Sequence, residues 1–233
     1  MTDALRILLI DCPSVSPNEL NLGLASIAAA LRGQGHQVRV LDLNSLRVPG
    51  SRRSRLRQAL DWRPQFVGVS VFPACTQVYR HAERVLAAAR AQLGDSARCV
   101  VGGVGISIDP AAASRRFAGL ADAAVFGEGE QTMTELAARA AGGQDWRGVP
   151  GVVAFDRGEP VVGPERPFIK DLDSLPFPAY DAFDSVGDTL AEYPLMTSRG
   201  CPFHCIFCLN QVLTKRTFRY RSARNVVDEI RGG

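Results

Sequence analysis

Short apolar runs alternate with longer stretches of helical periodicity over the first two thirds of the chain. The apolar runs predict five strands, at residues 5–10, 37–41, 66–71, 99–101 and 123–126. The periodic stretches predict helices at residues 22–34 and 77–93, and a further helix that begins around residues 127–130 and ends near residue 141. Strands that alternate with helices are typical of βαβ units, so we predict an α/β fold with a doubly wound, parallel, five-stranded sheet.

Ligands of such sheets bind outside the carboxyl ends of the strands, where the strand order switches. The candidate binding loops therefore follow residues 10, 71, 101 and 126, and their candidate residues are Pro13, Ser14, Ser70, Val71, Gly102, Gly103, Gly127 and Glu128. Each loop alone is a weak signal, because glycine pairs after strands are usually simple turns. The G-x-G-x-x-G fingerprint is absent after the first strand, which argues against NAD or FAD.

The pattern changes after residue 145. Two strand-like runs, 149–155 and 161–163, flank a turn signal and predict a hairpin, and Pro176 and Pro178 then exclude regular structure from a linker. Residues 193–198 are typical of the first strand of a TIM-like barrel, with residues 222–231 as the helix that follows. The predicted organisation is an α/β domain at 1–145, a hairpin and linker at 146–191, and the start of a barrel at 192–233.

Three cysteines follow the predicted barrel strand in the spacing C-x3-C-x2-C, at Cys201, Cys205 and Cys208. Three thiolates can hold three irons of a [4Fe-4S] cluster and leave the fourth iron open to a ligand. A structural zinc site is the alternative, with its fourth ligand from His204 or a distant cysteine. His204 is adjacent to Cys205, which is poor geometry for a shared tetrahedron. The other cysteines are predicted to be small core residues, and they are Cys12, Cys75 and Cys99.

Composition narrows the class of protein. Of the 233 residues, 46% are apolar and 22% are charged, as in soluble globular proteins. Neither a signal peptide nor an apolar run long enough for a membrane span occurs, so we expect a cytoplasmic protein without a membrane partner. The net charge is only +3, and the basic runs at residues 52–57 and 215–224 are predicted to be solvated faces. We therefore expect no nucleic-acid partner, although the second run could meet anionic groups of a ligand.

The cysteine motif resembles that of the radical S-adenosylmethionine enzymes. The resemblance rests on the run from Ser198 to Cys208, with its Gly-Cys-Pro opening and Phe207 before the last cysteine. Residues 171–181, Asp-Leu-Asp-Ser-Leu-Pro-Phe-Pro-Ala-Tyr-Asp, resemble the linker that joins a cobalamin-binding domain to the radical barrel in one large branch of that family. Residues 220–224 and 226–230 extend the match, which covers nearly the whole chain.

The resemblance implies roles for the cysteines and for the four candidate loops. Cys201, Cys205 and Cys208 would hold a [4Fe-4S] cluster whose open iron chelates S-adenosylmethionine, and Phe207 would lie near the adenine, although core packing would also explain an aromatic there. The four loops would cradle cobalamin. The histidine signature D-x-H-x-x-G is missing after the first strand, so cobalamin would have no histidine ligand from this motif. Some relatives keep the domain without the cofactor.

The reaction class that the resemblance favours is methyl transfer to an unactivated carbon of a small-molecule substrate, after reductive cleavage of S-adenosylmethionine. An electron donor such as flavodoxin or ferredoxin would be required. Other relatives catalyse cyclisations, ring contractions or ring closures. The residues after position 192 suffice for only about one βα unit of a barrel, so we expect that this polypeptide is not catalytic by itself.

Two hypotheses follow from that length. The chain is the amino-terminal part of a radical enzyme, truncated early in the barrel. The alternative is a non-catalytic cobalamin-binding module, for which a separately encoded barrel would be the partner, or an inactive truncated gene product.

Overall fold

The computed structural model describes residues 4–14, 19–72, 76–186 and 193–232. Its main sheet has seven strands in the order β2-β1-β3-β4-β5-β6-β7. The strands are β1 (Arg6–Asp11), β2 (Gln37–Asp42), β3 (Phe66–Ser70), β4 (Arg98–Gly102), β5 (Ala123–Val125), β6 (Val152–Asp156) and β7 (Glu159–Val162). β1 to β5 pair in parallel, which confirms the predicted doubly wound sheet. β6 and β7 form the predicted hairpin, which extends this sheet because β6 pairs antiparallel with β5.

Helices cover both faces of the sheet. They are α1 (Leu22–Gly33), α2 (Arg52–Asp61), α3 (Thr76–Leu93), α4 (Val104–Ile108), α5 (Pro110–Arg115) and α6 (Gly129–Ala141). In β1, Ile7 and Leu9 pack in the core under α1 and α6, whereas Leu8 and Ile10 pack in the core under α2 and α3. Central parallel strands are buried on both faces, which explains why β1 is an unbroken apolar run rather than an alternating one. No helix in the described ranges combines the length and apolar character that crossing a membrane requires.

The linker after the hairpin runs along the edge strand β2. The Asp184 amide donates to the carbonyl of Val40 at 3.0 Å, and the Asp184 carboxylate accepts from the Asp42 amide and from Arg55, both at 2.7 Å. Arg55 was predicted on a solvated face but is buried. Its guanidinium tolerates burial because Asp184 and the carbonyl of Asp42 accept its hydrogen bonds. Pro176 and Pro178 predicted a linker without regular structure, and residues 164–186 contain only short 3-10 turns and one isolated bridge to β2.

The last part of the chain differs from the sequence prediction. Its elements are β8 (Ser198–Arg199), α7 (Asn210–Thr214), β9 (Arg219–Tyr220) and α8 (Ala223–Gly232). The strand predicted at 193–198 is limited to β8, which pairs antiparallel with β9. A parallel strand needs a parallel neighbour, and the described residues place none beside β8. Residues 193–222 carry the three cysteines and are called the cysteine segment below.

Candidate functional site

A cavity of about 470 Å³ opens at the carboxyl ends of the central strands. Its walls come from the loops after β3, β4 and β5, from the start of α1, and from the cysteine segment. Most of the candidate loop residues line it, namely Ser70, Val71, Gly102, Gly103, Gly127 and Glu128. The remainder of the wall is largely apolar, and it includes Leu9, Ile27 and Met133. The cavity lies where the strand order switches, as expected for ligand sites of this sheet type.

Register explains why these loops meet. Ser70 pairs with Gly102, and Gly102 pairs with Val125, so the ends of β3, β4 and β5 are level. Gly103 then has a φ of +105°, and a Cβ there would approach the carbonyl oxygen of Val71 to 2.8 Å. Only glycine fits at this position, for two reasons. Other residues rarely adopt this positive φ, and any side chain would clash with the backbone at the end of β3. The glycine pair is therefore a close backbone approach beside the cavity rather than a simple turn.

A polar group lies at the β1 side of the cavity. The Asn21 side-chain amide donates to the Asp11 carboxylate at 2.8 Å and to the Ser70 hydroxyl at 3.2 Å. The Asn21 oxygen also accepts from the Leu24 amide at 3.1 Å and so caps α1. Burial raises the pKa of Asp11 to about 7, with the Asn21 hydrogen bond opposing the shift and the Asp42 carboxylate adding to it. Sequence reasoning missed Asn21, although an asparagine directly before a predicted helix is a recognised capping signal.

Pro13 and Ser14 do not line the cavity. The chain after β1 turns toward the β2 side, where the Ser14 amide donates to the Asn44 side-chain oxygen at 2.8 Å. Pro13 is buried there. The Asn44 contact thus directs these two candidate residues away from the site.

Glu128 lines the cavity, but its carboxylate is engaged by the cysteine segment. Arg219 donates to it at 2.9 Å and Arg199 at 3.2 Å, while Arg199 also donates to Glu130 at 2.6 Å. Each of these four side chains is at most 15% exposed. We call them the arginine–glutamate cluster. The predicted solvated face at residues 215–224 is therefore wrong for Arg219, because the fold supplies it with buried carboxylate partners.

Arg221 is a second exception to the predicted solvated face. Its guanidinium forms an ion pair with Glu229, which is fully buried although it lies on α8. The Tyr193 hydroxyl donates to the same carboxylate at 3.2 Å. Burial, with Glu229 adding to it, raises the pKa of Tyr193. This pairing holds α8 against the start of the cysteine segment.

The three motif cysteines lie on the loop between β8 and α7. Cys205 is exposed, Cys201 and Cys208 are partly exposed, and none is in a disulfide. The Cys208 amide donates to the carbonyl of Cys205 at 3.0 Å. Within the described ranges, no three histidine, cysteine, aspartate or glutamate side chains are grouped closely enough to hold a metal ion. The structure therefore places the three thiols on one loop without gathering them.

The other predicted residues fall elsewhere. Phe207 is 87% exposed and lies outside the cavity wall, so core packing does not explain this aromatic residue. Cys12 and Cys99 are buried in the core, as predicted. Cys75 lies outside the described residues. Burial raises the pKa of the Cys99 thiol to about 11, which keeps this group protonated and unsuited to binding a metal.

A comparison with protein families finds a match over the α/β domain. The model described as "B12 binding domain" matches residues 12–137, which is more than half of the chain. The matched region runs from the loop after β1 into α6 and includes the loops that line the cavity.

Two curated relatives match over most of this chain. An uncharacterised methyltransferase of Pyrococcus horikoshii is 30% identical over 212 residues, which are 90% of this chain and 44% of that protein. The hopanoid C-3 methylase of Methylococcus capsulatus is 30% identical over 219 residues, which are 90% of this chain and 39% of that protein. The chain thus spans less than half the length of these curated relatives.

Solved structures share the fold. The radical S-adenosylmethionine methyltransferase TsrM from Kitasatospora setae, solved with cobalamin and a [4Fe-4S] cluster, superposes with a TM-score of 0.75 at 22% identity, covering 99% of this chain and 46% of that one. The cobalamin-dependent S-adenosylmethionine radical enzyme OxsB, solved with aqua-cobalamin and S-adenosylmethionine, gives 0.77 at 21% identity, covering 99% and 31%. The family match, on the loops that build the cavity, establishes that the chain belongs to the B12 binding domain family.

Proposed function

We propose that this chain is the cobalamin-binding and cluster-bearing part of a cobalamin-dependent radical S-adenosylmethionine methyltransferase. One observation carries the proposal. The cavity at the carboxyl ends of β3, β4 and β5 is lined both by the loops of the B12 binding domain and by Met196, Arg199 and Arg219 of the cysteine segment. A cofactor in that cavity would lie against the segment that holds the three thiols. The names of the curated relatives, which include several methyltransferases, support the reaction class.

The chain's own residues fit cobalamin. Gly103 and Gly127 have positive φ values and line the cavity, so at these two positions the loop backbone faces a ligand without a side chain. The wide apolar wall suits a corrin ring, and Ser70 and Asn21 supply polar contacts at one side. Histidine is absent from the described residues that line the cavity. Cobalamin would therefore be held without a histidine ligand.

The chain's cysteines fit an iron–sulfur cluster better than zinc. Cys201, Cys205 and Cys208 supply three free thiols on one exposed loop, and His204 is also exposed but adjacent to Cys205. Among the other cysteines of the described residues, Cys12 and Cys99 are buried in the core and cannot act as a fourth ligand. A three-thiolate donor set matches a cluster with one open iron. When bound, the cluster supplies the electron that cleaves S-adenosylmethionine and cobalamin carries the methyl group.

The proposal extends to partners. A reductant of the flavodoxin or ferredoxin type would deliver the electron, and a small molecule with an unactivated carbon would accept the methyl group. The cysteine segment carries several exposed apolar side chains, including Phe203, Ile206 and Phe207, which a complete barrel would cover. We propose that catalysis requires such a barrel, either on the same polypeptide or on another one.

Binding of hydroxocobalamin by the purified chain tests the proposal. Titration is followed by the cobalamin absorbance that stays with the protein after gel filtration. We expect binding by the wild type and loss of binding in Ser70→Trp, because an indole at Ser70 would occupy the cavity. Val162→Trp is the matched control, since Val162 is an exposed position on the hairpin. Absence of binding by the wild type, or equal binding by Ser70→Trp, would contradict the proposal.

A further inference from the structure

The arginine–glutamate cluster connects two parts of the molecule that are far apart in sequence. Glu128 and Glu130 lie at the start of α6, in the B12 binding domain, whereas Arg199 and Arg219 lie on the paired strands β8 and β9. Two positive and two negative charges balance, and all four residues line the cavity. Arg199 is two residues before Cys201, so its anchorage sets where the cysteine loop begins.

Burial makes the loss of one partner of this contact more costly than in a surface ion pair. The side chains of Glu130 and Arg219 are only 6% and 9% exposed. Exposed ion pairs contribute little to stability, but removing one partner of a buried pair is strongly destabilising, because the other charge then remains buried and unpaired. Two members of the cluster also bind the backbone of the linker at Ile169. Glu128 accepts from the Ile169 amide at 2.8 Å, and Arg219 donates to the Ile169 carbonyl at 2.7 Å.

One donor of the cluster has no partner. The Nε of Arg219 is buried and makes no hydrogen bond to any described residue. The guanidinium lies over the ring of Phe168, at 4.8 Å from its centroid, and both residues line the cavity. Buried polar groups are nearly always hydrogen-bonded, so this unpartnered N–H beside the cavity is a donor that a ligand acceptor could satisfy. Cobalamin carries amide groups around its ring, and their carbonyl oxygens are such acceptors.

We propose that the arginine–glutamate cluster positions the cysteine segment against the cavity, and that Arg219 Nε donates to a peripheral amide of bound cobalamin. The second part rests on the proposed function. Arg219 then belongs both to the contact that holds the cysteine segment and to the cofactor site. Cofactor binding and the ordering of the cysteine segment are therefore coupled, and the coupling acts in both directions.

The positioning role is tested on the chain without cofactor. Hydrogen exchange is measured for the amides of β8, β9 and Arg221, whose amide donates to the carbonyl of Thr197 at 2.9 Å. We expect Glu130→Gln to raise these exchange rates by about tenfold or more, while amides of β3 and β4 are unchanged. Arg199→Lys, which keeps the charge, should retain most of the protection that Arg199→Gln loses.

Glu159→Gln is the control for this experiment. Glu159 forms an ion pair with Arg115 at 3.0 Å, but its side chain is 69% exposed and lies on the hairpin. The Glu159→Gln substitution should leave the amides of β8 and β9 exchanging at the wild-type rate. Equal rates in Glu130→Gln and Glu159→Gln would overturn the positioning role, whether or not cobalamin binds.

The cofactor contact is tested by adding hydroxocobalamin to the full chain. In the wild type it should slow exchange in β8 and β9, and in Arg219→Lys, which keeps a charge beside Glu128 but lacks Nε, this slowing should be lost. Binding without any change in wild-type exchange would overturn the coupling and leave the proposed function intact. Lack of binding would overturn the proposed function and the cofactor contact together, whereas the apo measurements would still decide the positioning role.

Discussion

Asp11 is a carboxyl group buried beside the cavity, and its pKa of about 7 lies well above the ordinary value of 3.8. The folded chain therefore binds a proton that the unfolded chain releases between about pH 4 and pH 7. Stability consequently falls as the pH rises through this window, by about 4 kcal/mol at most, and levels off above it. The Asp42 carboxylate adds to the rise in the pKa of Asp11, and the hydrogen bond from Asn21 opposes it.

Asp11→Asn should remove this dependence, because asparagine imitates the protonated carboxyl. We expect the free energy of unfolding of this variant to fall less between pH 5 and pH 8 than that of the wild type, measured by urea denaturation. Asp95→Asn, at an exposed aspartate, should keep the wild-type slope. Parallel pH profiles for Asp11→Asn and the wild type would show that Asp11 does not titrate in this range.

Gly200 is the residue that lets the cysteine loop leave β8. Its φ is +91°, and a Cβ there would lie 1.7 Å from the carbonyl oxygen of Thr217. We expect Gly200→Ala to separate β8 from β9 and to lower the iron content of the reconstituted protein, measured by hydrogen exchange and iron analysis. Gly35→Ala is a matched control, since Gly35 has a φ of +86° but no atom within 4 Å of the added Cβ. Similar losses in both variants would point to backbone strain alone.

Helix α8 packs against the rest of the molecule through a charged residue rather than through its apolar residues. Its buried residue is Glu229, while Val227 and Ile230 are exposed. The helix is thus held by the ion pair with Arg221 and by the Tyr193 hydroxyl rather than by apolar packing. An apolar stripe that faces solvent is consistent with the proposed need for further barrel elements.

Glu229→Ala should detach α8, because Arg221 would remain buried without its carboxylate. The loss of a buried partner is worth about 3–5 kcal/mol, so we expect the α8 amides to exchange close to the rate of an unfolded helix. Asp228→Ala is the neighbouring control, since Asp228 is half exposed and lies 3.7 Å from Arg224. Unchanged protection of α8 in Glu229→Ala would mean that other contacts hold the helix.

The strands of the α/β domain are the elements that the sequence pattern predicted best. The strands β1 to β5 begin and end within one or two residues of the apolar runs that predicted them. The central strands are apolar because both of their faces are covered, whereas the edge strand β2 has Gln37 and Arg39 exposed. The hairpin was predicted from its turn residues, but not its pairing with β5, since strand alternation does not specify a neighbour. β9 and α7 were missed, because each is too short to show a period.

The two proposed cofactor sites lie in different parts of the whole molecule. The cavity belongs mainly to the B12 binding domain, and the three thiols lie on a separate loop. We therefore expect a substitution in one site to leave the other cofactor bound, although the coupling through Arg219 still changes how well β8 and β9 are ordered. After anaerobic reconstitution, Cys205→Ala should lose the cluster of about four irons and four sulfides but still bind hydroxocobalamin, whereas Ser70→Trp should show the reverse.

Cys99→Ala is the control for the cysteine variant. Cys99 is buried in β4, so its replacement should lower stability through lost packing and leave the iron content unchanged. Stoichiometric zinc without sulfide in the wild type would contradict the cluster assignment. Equal iron loss in Cys205→Ala and Cys99→Ala would contradict the choice of ligands.

The sequence by itself determined the parallel sheet, the loops at its carboxyl edge and the cysteine spacing, because these depend on local periodicity and on residues close together in the chain. The tertiary structure alone decided which candidates meet. Ser14 turns toward Asn44 and leaves the cavity, while Asn21 enters it as the cap of α1. Arg199 and Arg219 become buried partners of Glu128 and Glu130, which lie about seventy or more residues earlier. Charge burial depends on partners that only the folded chain brings together, so no pattern along the sequence could have revealed it.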